Sequence, residues 1–258
     1  MLLPRIIPVL LVHNKGLVKT VKFKDAKYVG DPINAVKIFN EKEADELTVL
    51  DIDASSHGRE PDYKMIENLA AECRMPLCYG GGIKSLEQAQ RILSLGVEKV
   101  ALSSVVFDEP EIVTALANQV GRQSVVVVLD VKKRLFSNNY DCYTLNGSVN
   151  QKVCPFEFAS KLQELGAGEI VINSIDKDGI MKGYDIELIS RMKSVASVPL
   201  TALGGAGSYG DIKTLVNTYP VIGAAAGSAF VFKGKYKAVL INYPTMVEKT
   251  EMMSSLEN

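Results

Sequence analysis

Pro76-Leu77-Cys78-Tyr79-Gly80-Gly81-Gly82 returns later in the chain as Pro199-Leu200-Thr201-Ala202-Leu203-Gly204-Gly205, an apolar run that ends in glycines both times. The offset of 123 residues also joins Glu46 to Glu169, Asp53 to Asp176, Ala101 to Ala224 and Phe107 to Phe230 without a gap. Working outward, eight short apolar runs alternate with longer amphipathic stretches: 5–12, 46–52, 76–79, 99–103, 124–131, 169–173, 199–203 and 221–226. Ala35, Ile38 and Phe39, or Leu86, Ala89, Ile92 and Leu93 after a capping Ser85, have helical spacing. Strands alternating with helices predict parallel βαβ units. A four-unit half that is duplicated closes into a single (βα)8 barrel, here over 1–243, whereas an open sheet gives no reason for two matching halves. After Pro244 the sequence is polar and has no apolar period, which predicts a frayed C-terminal tail over 244–258.

The chain has 258 residues, with 29 Lys+Arg against 30 Asp+Glu and a net charge of −1, which argues against a nucleic-acid binder driven by bulk charge. With 47% hydrophobic and 23% charged residues, it has the composition of a folded globule. Cys73, Cys78, Cys142 and Cys154 form no CxxC pair and the only histidines are His13 and His57, so a Cys/His zinc site is not expected. Pro4, Arg5 and Pro8 interrupt the apolar start, so it does not read as a signal peptide, and no run is long enough for a membrane span. A reduced, cytoplasmic protein is expected.

In a (βα)8 barrel, chemistry sits at the C-terminal ends of the strands. There, Gly81 and Gly82 in one half and Gly204 and Gly205 in the other can bring backbone N–H groups to an anion, beside Ser103-Ser104 and Gly227-Ser228. Two phosphate sites on opposite sides of the mouth are expected, the alternative being tight turns without a ligand. Asp130 closes the run Val125–Leu129 and is a candidate general acid or base, or else an anchor for loop amides. The equivalent position in the first run is Leu11, which cannot carry a proton. Lys15, Lys19, Lys22, Lys24 and Lys27 crowd a loop after the first strand, most of them solvated. His13 and His57 read as loop residues, and Asp51, Asp53 and Asp176 as loop-orienting carboxylates.

At the opposite rim, Arg5, Glu46, Lys99 and Glu169 begin four strands, and strand alternation turns all four inward. They form either a ring of ion pairs around a passage or a structural plug. The same parity brings Thr48, Cys78, Ala101, Val171, Thr201 and Ala224 inward, smaller than the usual barrel filling.

Arg5-Ile6-Ile7-Pro8, Gly80-Gly81-Gly82-Ile83, Gly166-Ala167-Gly168-Glu169, Asp176-Lys177-Asp178-Gly179 and Gly204-Gly205-Ala206-Gly207 give the chain a resemblance to HisF, the cyclase subunit of imidazole glycerol phosphate synthase, over nearly its whole length. The resemblance implies ammonia delivered by a HisH-type glutaminase docked on the N-terminal face, near Glu98. It implies a charged gate at Arg5, Glu46, Lys99 and Glu169, and a phosphorylated substrate at the mouth, with Lys19, Asn173, Asp178 and Gly179 among the contacts. The family cyclises with two aspartates; Asp130 matches one and Leu11 replaces the other. Ser103 stands where the family has Asn, and Ile180 where Thr follows Asp-Gly.

The stretch Leu10–Thr20 resembles the divergent, WbuZ-type HisF-like proteins associated with amidation of surface-polysaccharide sugars. That resemblance implies a glutaminase that makes ammonia, a barrel that conducts it, and a separate ATP-dependent amidotransferase that consumes it. The alternatives are a working cyclase with Asp130 as acid/base, a scaffold that only activates the glutaminase, and a sugar-phosphate isomerase of the related HisA type, against which Leu11 counts. Neither a metal nor an organic cofactor is called for, and neither nucleic acid nor membrane is an expected partner.

Overall fold

The computed structural model describes residues 4–253. Eight parallel strands close on themselves: β1 (Arg5–His13), β2 (Leu47–Asp51), β3 (Leu77–Gly80), β4 (Lys99–Leu102), β5 (Val125–Lys133), β6 (Glu169–Ser174), β7 (Leu200–Leu203) and β8 (Gly223–Ala226). Each pairs with its successor in sequence, and β8 returns to β1 through Arg5↔Gly223 and Ile7↔Ala225. The eight runs and the (βα)8 class expected from the repeat are therefore present.

An outer layer of helices covers the barrel: α1 (Pro32–Glu41), α2 (Tyr63–Glu72), α3 (Leu86–Ser94), α4 (Ile112–Val120), α5 (Pro155–Leu165), α6 (Ile186–Lys193), α7 (Tyr209–Thr218) and α8 (Met246–Met253). Each of the first seven turns apolar residues inward, for example Ala35, Val36 and Phe39 of α1 or Ala89 and Ile92 of α3, against outward-facing strand residues such as Ile6, Leu47 and Val100. Ser85 caps α3 as its position predicts, its Oγ accepting the Gln88 N–H at 3.3 Å.

Three expectations change. The segment after Pro244 is the eighth barrel helix rather than a frayed tail over residues 246–253: Met252 and the stem of Lys249 are buried, and Lys249 Nζ donates to Asp45 Oδ1 at 2.8 Å. The last part of that expected tail, residues 254–258, lies outside the described residues. The lysine-rich loop after β1 is an antiparallel extension of β1, its two strands being Gly16–Val21 and Lys24–Gly30.

Ala224 faces the helices, and Ala225 takes the interior position beside Ile7 and Val9. The cause is a slip of one residue in register: Cys78 pairs with Lys99, but its repeat mate Thr201 pairs with Gly223 rather than with the mate of Lys99. A slip of one exchanges the two faces of a strand. Glycine at 223 permits it, since a Cβ there would occupy the space of the Thr201 hydroxyl.

Candidate active site

On the barrel axis at the N-terminal rim, the four charges form a closed ring. Arg5 Nη1 donates to Glu46 Oε2 at 2.5 Å and Nη2 to Glu169 Oε1 at 2.8 Å; Lys99 Nζ donates to Glu46 Oε1 at 2.9 Å and to Glu169 Oε2 at 3.0 Å. Both carboxylates are buried, so each charge is compensated on two sides. Burial alone would lower the pKa of Arg5 and of Lys99, and the two glutamates outweigh it and raise both. Burial would likewise raise the pKa of Glu169, and its bonds to Arg5 with the charge of Lys99 hold it below the ordinary carboxylate range.

Thr201, read from the sequence only as a small inward residue, belongs to this ring, donating to Glu169 Oε1 at 2.6 Å. Above it lie Ile7, Cys78, Val126 and Val171, with Ala101 and Ala225 keeping the layer thin. Glu98 is exposed beside Lys99, and its Oε2 accepts the Leu77 N–H at 2.7 Å.

At the C-terminal ends of the strands a cavity of about 380 Å³ reaches down to Val9, Leu50, Ala101 and Val128. All of the predicted mouth residues line it: Lys19, Gly81, Gly82, Ser103, Ser104, Asp130, Asn173, Asp178, Gly179, Gly204, Gly205, Gly227 and Ser228. Leu11 is in the same wall. The size suits a small ligand held by a few polar groups.

The glycine turns of the two halves match. Gly81 has φ +123° and Gly204 φ +94°, and a side chain on either would run into the backbone of the neighbouring strand end, Asp51 or Ser174. The long helices that follow carry side-chain caps, Ser85 taking the Gln88 N–H of α3 and Ser208 the Asp211 N–H of α7. Two short helices, Val105–Asp108 and Ser228–Val231, also begin at the mouth. Among the described residues neither has a side-chain cap, and each starts beside a glycine turn, at Ser104 and at Gly227. Paired loops with a short extra helix are a frequent phosphate site in (βα)8 barrels.

Asp130 sits half-buried in the wall and accepts the Asn173 Nδ2–H at 2.8 Å. Burial pushes its pKa up to about 7, against the pull of that bond and with the help of the nearby Asp178 charge. A carboxyl group near neutrality can both give and take a proton at cellular pH. The other oxygen-bearing end of this pair, Asn173 Oδ1, is buried and without a hydrogen-bond partner among the described residues.

Lys19 is buried rather than solvated; its Nζ donates to Val9 O at 2.6 Å, and burial lowers its pKa to about 8 against the attraction of Asp178. Asp178 accepts from Thr20 Oγ1 at 2.8 Å and from the Phe23 N–H at 3.2 Å, so its carboxylate clasps the extension that carries Lys19. Asp51 holds loop amides, as its strand-end position predicted, whereas Asp176 accepts the N–H of Lys133 at the end of β5. His57 lies in a loop, whereas His13 is the last residue of β1, and its Nδ1 lies 2.7 Å from Asp53 Oδ1. That pair could not be read from sequence, because 40 residues separate its members. No group of three or more metal-ligating side chains occurs among the described residues, and none of their helices is long and apolar enough to cross a membrane.

Comparison with known proteins extends these observations. Residues 5–237 match the family model for the histidine biosynthesis protein. A Vibrio vulnificus (strain YJ016) protein provisionally named imidazole glycerol phosphate synthase subunit hisF3 is 66% identical over 253 residues, 98% of this chain and 97% of its own length. A Leptospira interrogans protein provisionally named as the HisF subunit is 55% identical, over 96% of this chain and 98% of its own. The HisF subunit of imidazole glycerol phosphate synthase from Lactococcus lactis subsp. lactis (strain IL1403) is 38% identical, over 98% and 100%. With likeness of this extent spanning both half-barrels, the chain belongs to the histidine biosynthesis protein family, among the HisF subunits of imidazole glycerol phosphate synthase.

Proposed function

We propose that this chain is the barrel subunit of a glutamine-dependent amidation complex. A HisH-type glutaminase docks on the N-terminal face around Glu98, and ammonia passes the ring of Arg5, Glu46, Lys99 and Glu169 to a phosphorylated acceptor at the mouth. The acceptor is a sugar of surface polysaccharide, and a separate ATP-dependent amidotransferase installs the nitrogen there.

The observation that carries the reading is the pairing of a complete charged ring at one rim with Leu11 at the other. The side that handles ammonia keeps every charge, while β1 presents an alkyl group at the position opposite Asp130. The thin layer of Cys78, Ala101 and Ala225 between them supports a passage for a molecule as small as ammonia. A second reading, a cyclase that works through Asp130, is favoured by the near-neutral pKa of that carboxyl group.

Turnover of the precursor that imidazole glycerol phosphate synthases cyclise, in saturating ammonium, separates the two. Ammonium bypasses the glutaminase, so only the mouth is tested. The conduit reading expects turnover far below about 1 per second, the low end of ordinary enzyme rates, rising in Leu11→Asp. Native turnover at or above that rate establishes the cyclase instead. Within the whole complex, Thr48→Trp should stop nitrogen transfer from glutamine; a scaffold that only activates the glutaminase would be indifferent to it.

A further inference from the structure

His13 and Asp53 form a buried-to-exposed pair on the cavity wall that belongs to neither glycine turn. His13 follows Leu11 by two positions on β1, so strand alternation sends its side chain toward the same side, and both line the cavity. Asp53 is 3% exposed; besides His13 Nδ1 it receives the Asn14 N–H at 2.8 Å and faces Arg59 Nη2 at 3.3 Å. Those contacts outweigh burial and keep its pKa below the ordinary carboxylate value. An ionised carboxylate only accepts, so Nδ1 carries the imidazole proton and Nε2 presents its lone pair. Asn14 Nδ2, 3.0 Å from Nε2, is a donor in the position that this tautomer requires, and it must release that lone pair before Nε2 can take a proton. The arrangement is the one by which a carboxylate orients a histidine base.

We propose that His13, oriented by Asp53, is a second proton-transfer group of the mouth and works with Asp130 on the nitrogen that arrives there. β1 and β5 stand four strands apart in the closed barrel, so His13 and Asp130 approach a ligand from opposite walls. The proposal rests on the delivery of ammonia to a phosphorylated acceptor and not on the separate amidotransferase, since here the mouth itself adds the nitrogen rather than serving as a bare exit.

When ammonia adds to an electrophilic carbonyl carbon, the N–C bond forms as the C–O π bond opens. Asp130 in its acid form gives a proton to the oxygen, and His13 Nε2 takes one from the new ammonium nitrogen. The products are a neutral carbinolamine, an imidazolium paired with Asp53 and an ionised Asp130; solvent returns the proton from His13 to Asp130. Asp53 is a positioning residue, since it acts only through the imidazole.

The test measures ammonium-driven cyclisation of the same precursor across pH by the native barrel, His13→Gln and Asp53→Asn. Asp51 at the end of β2, Asp53 and His57 from the loop after it, and Lys24 and Asp25 from the β1 extension line the same cavity, and Arg59 faces Asp53. The native barrel should show slow turnover with an acidic limb. His13→Gln should lose about a hundredfold or more, the usual contribution of a general base, and its acidic limb should flatten. Asp53→Asn should fall similarly by favouring the wrong tautomer. Adding Leu11→Asp to His13→Gln should restore turnover, which shows that the variant is folded. A native barrel without turnover, or a His13→Gln variant that turns over and titrates like the native one, overturns the proposal. The conduit reading fails separately, through native turnover at or above about 1 per second.

Discussion

Asp130 is where one residue's surroundings decide its chemistry. Its folded pKa of about 7 stands above the ordinary 3.8 because burial disfavours the charge. Below about pH 4 both the folded and unfolded chains hold the proton and Asp130 costs nothing. Between about pH 4 and 7 the unfolded chain releases it while the folded chain keeps it, so this contribution to stability falls as pH rises, and above 7 the whole penalty is present. Asp130→Asn removes the ionisation and keeps an acceptor for Asn173. It should stabilise the barrel at pH 8 by on the order of 2 kcal/mol, with each pKa step about 1.4 kcal/mol before solvent screening, and should do nothing at pH 4. Parallel denaturant titrations at the two pH values check this. The identity of Asp130 as a candidate was readable from its place at the end of an apolar run. Its acidity was not, because that depends first on burial and then on Asn173 and Asp178, all of which other strands and loops supply. The hydroxyl of Thr201 was hidden for the same reason: its partner Glu169 lies on the adjacent strand.

Among the elements, the β1 extension departs furthest from its sequence reading. Leu17, Val18, Lys19 and Thr20 are all buried, so both faces of this strand are covered, which a lysine-rich, polar segment does not announce. What holds it down is the loop after β6, where Asp178 binds Thr20 and Phe23 and Gly179 lies against the Thr20 carbonyl. Gly179 has φ +67°, and a Cβ would collide with Thr20 O. Gly179→Ala should therefore add backbone strain of about 1–2 kcal/mol and loosen the extension. Amide exchange of residues 16–30 should accelerate about tenfold, the factor that 1.4 kcal/mol corresponds to, while β5 and β6 keep their protection. Unchanged exchange in 16–30 would mean that Asp178 alone fixes the extension. The short helices at Val105 and Ser228 make a related point: the glycine turns were legible, but these two helices, which start at the mouth without a side-chain cap while α3 and α7 have one, were not.

For the whole molecule, closure depends on α8 and on the residues just before it. Tyr243 OH donates to Ile6 O at 2.8 Å and accepts the Asp45 N–H at 3.0 Å, and Lys249 adds its bond to Asp45. Ile6 and Asp45 are the chain neighbours of Arg5 and Glu46, so the C-terminal segment braces the charged ring from outside. Tyr243→Phe leaves a buried carbonyl and amide unpaired at a cost of about 1–3 kcal/mol. Truncation after Pro244 also removes the cover contributed by Met252, and the melting temperature should drop by about 5–10 °C, at about 2–4 °C per kcal/mol for a domain of this size. A tail without a structural role would leave the melt unchanged. The sequence by itself determined the duplicated (βα)8 architecture, the members of the charged ring and the glycine turns, serines and Asp130 of the mouth, because strand alternation and turn chemistry are local and repeat with the chain; Lys19, Asn173, Asp178 and Gly179 were placed there by resemblance. Only the tertiary structure decided the one-residue slip at β8, the burial of Lys19, the eighth helix and the pairing of His13 with Asp53. Each of these depends on contacts between segments far apart in sequence, and local periodicity carries no record of which distant side chain will be there.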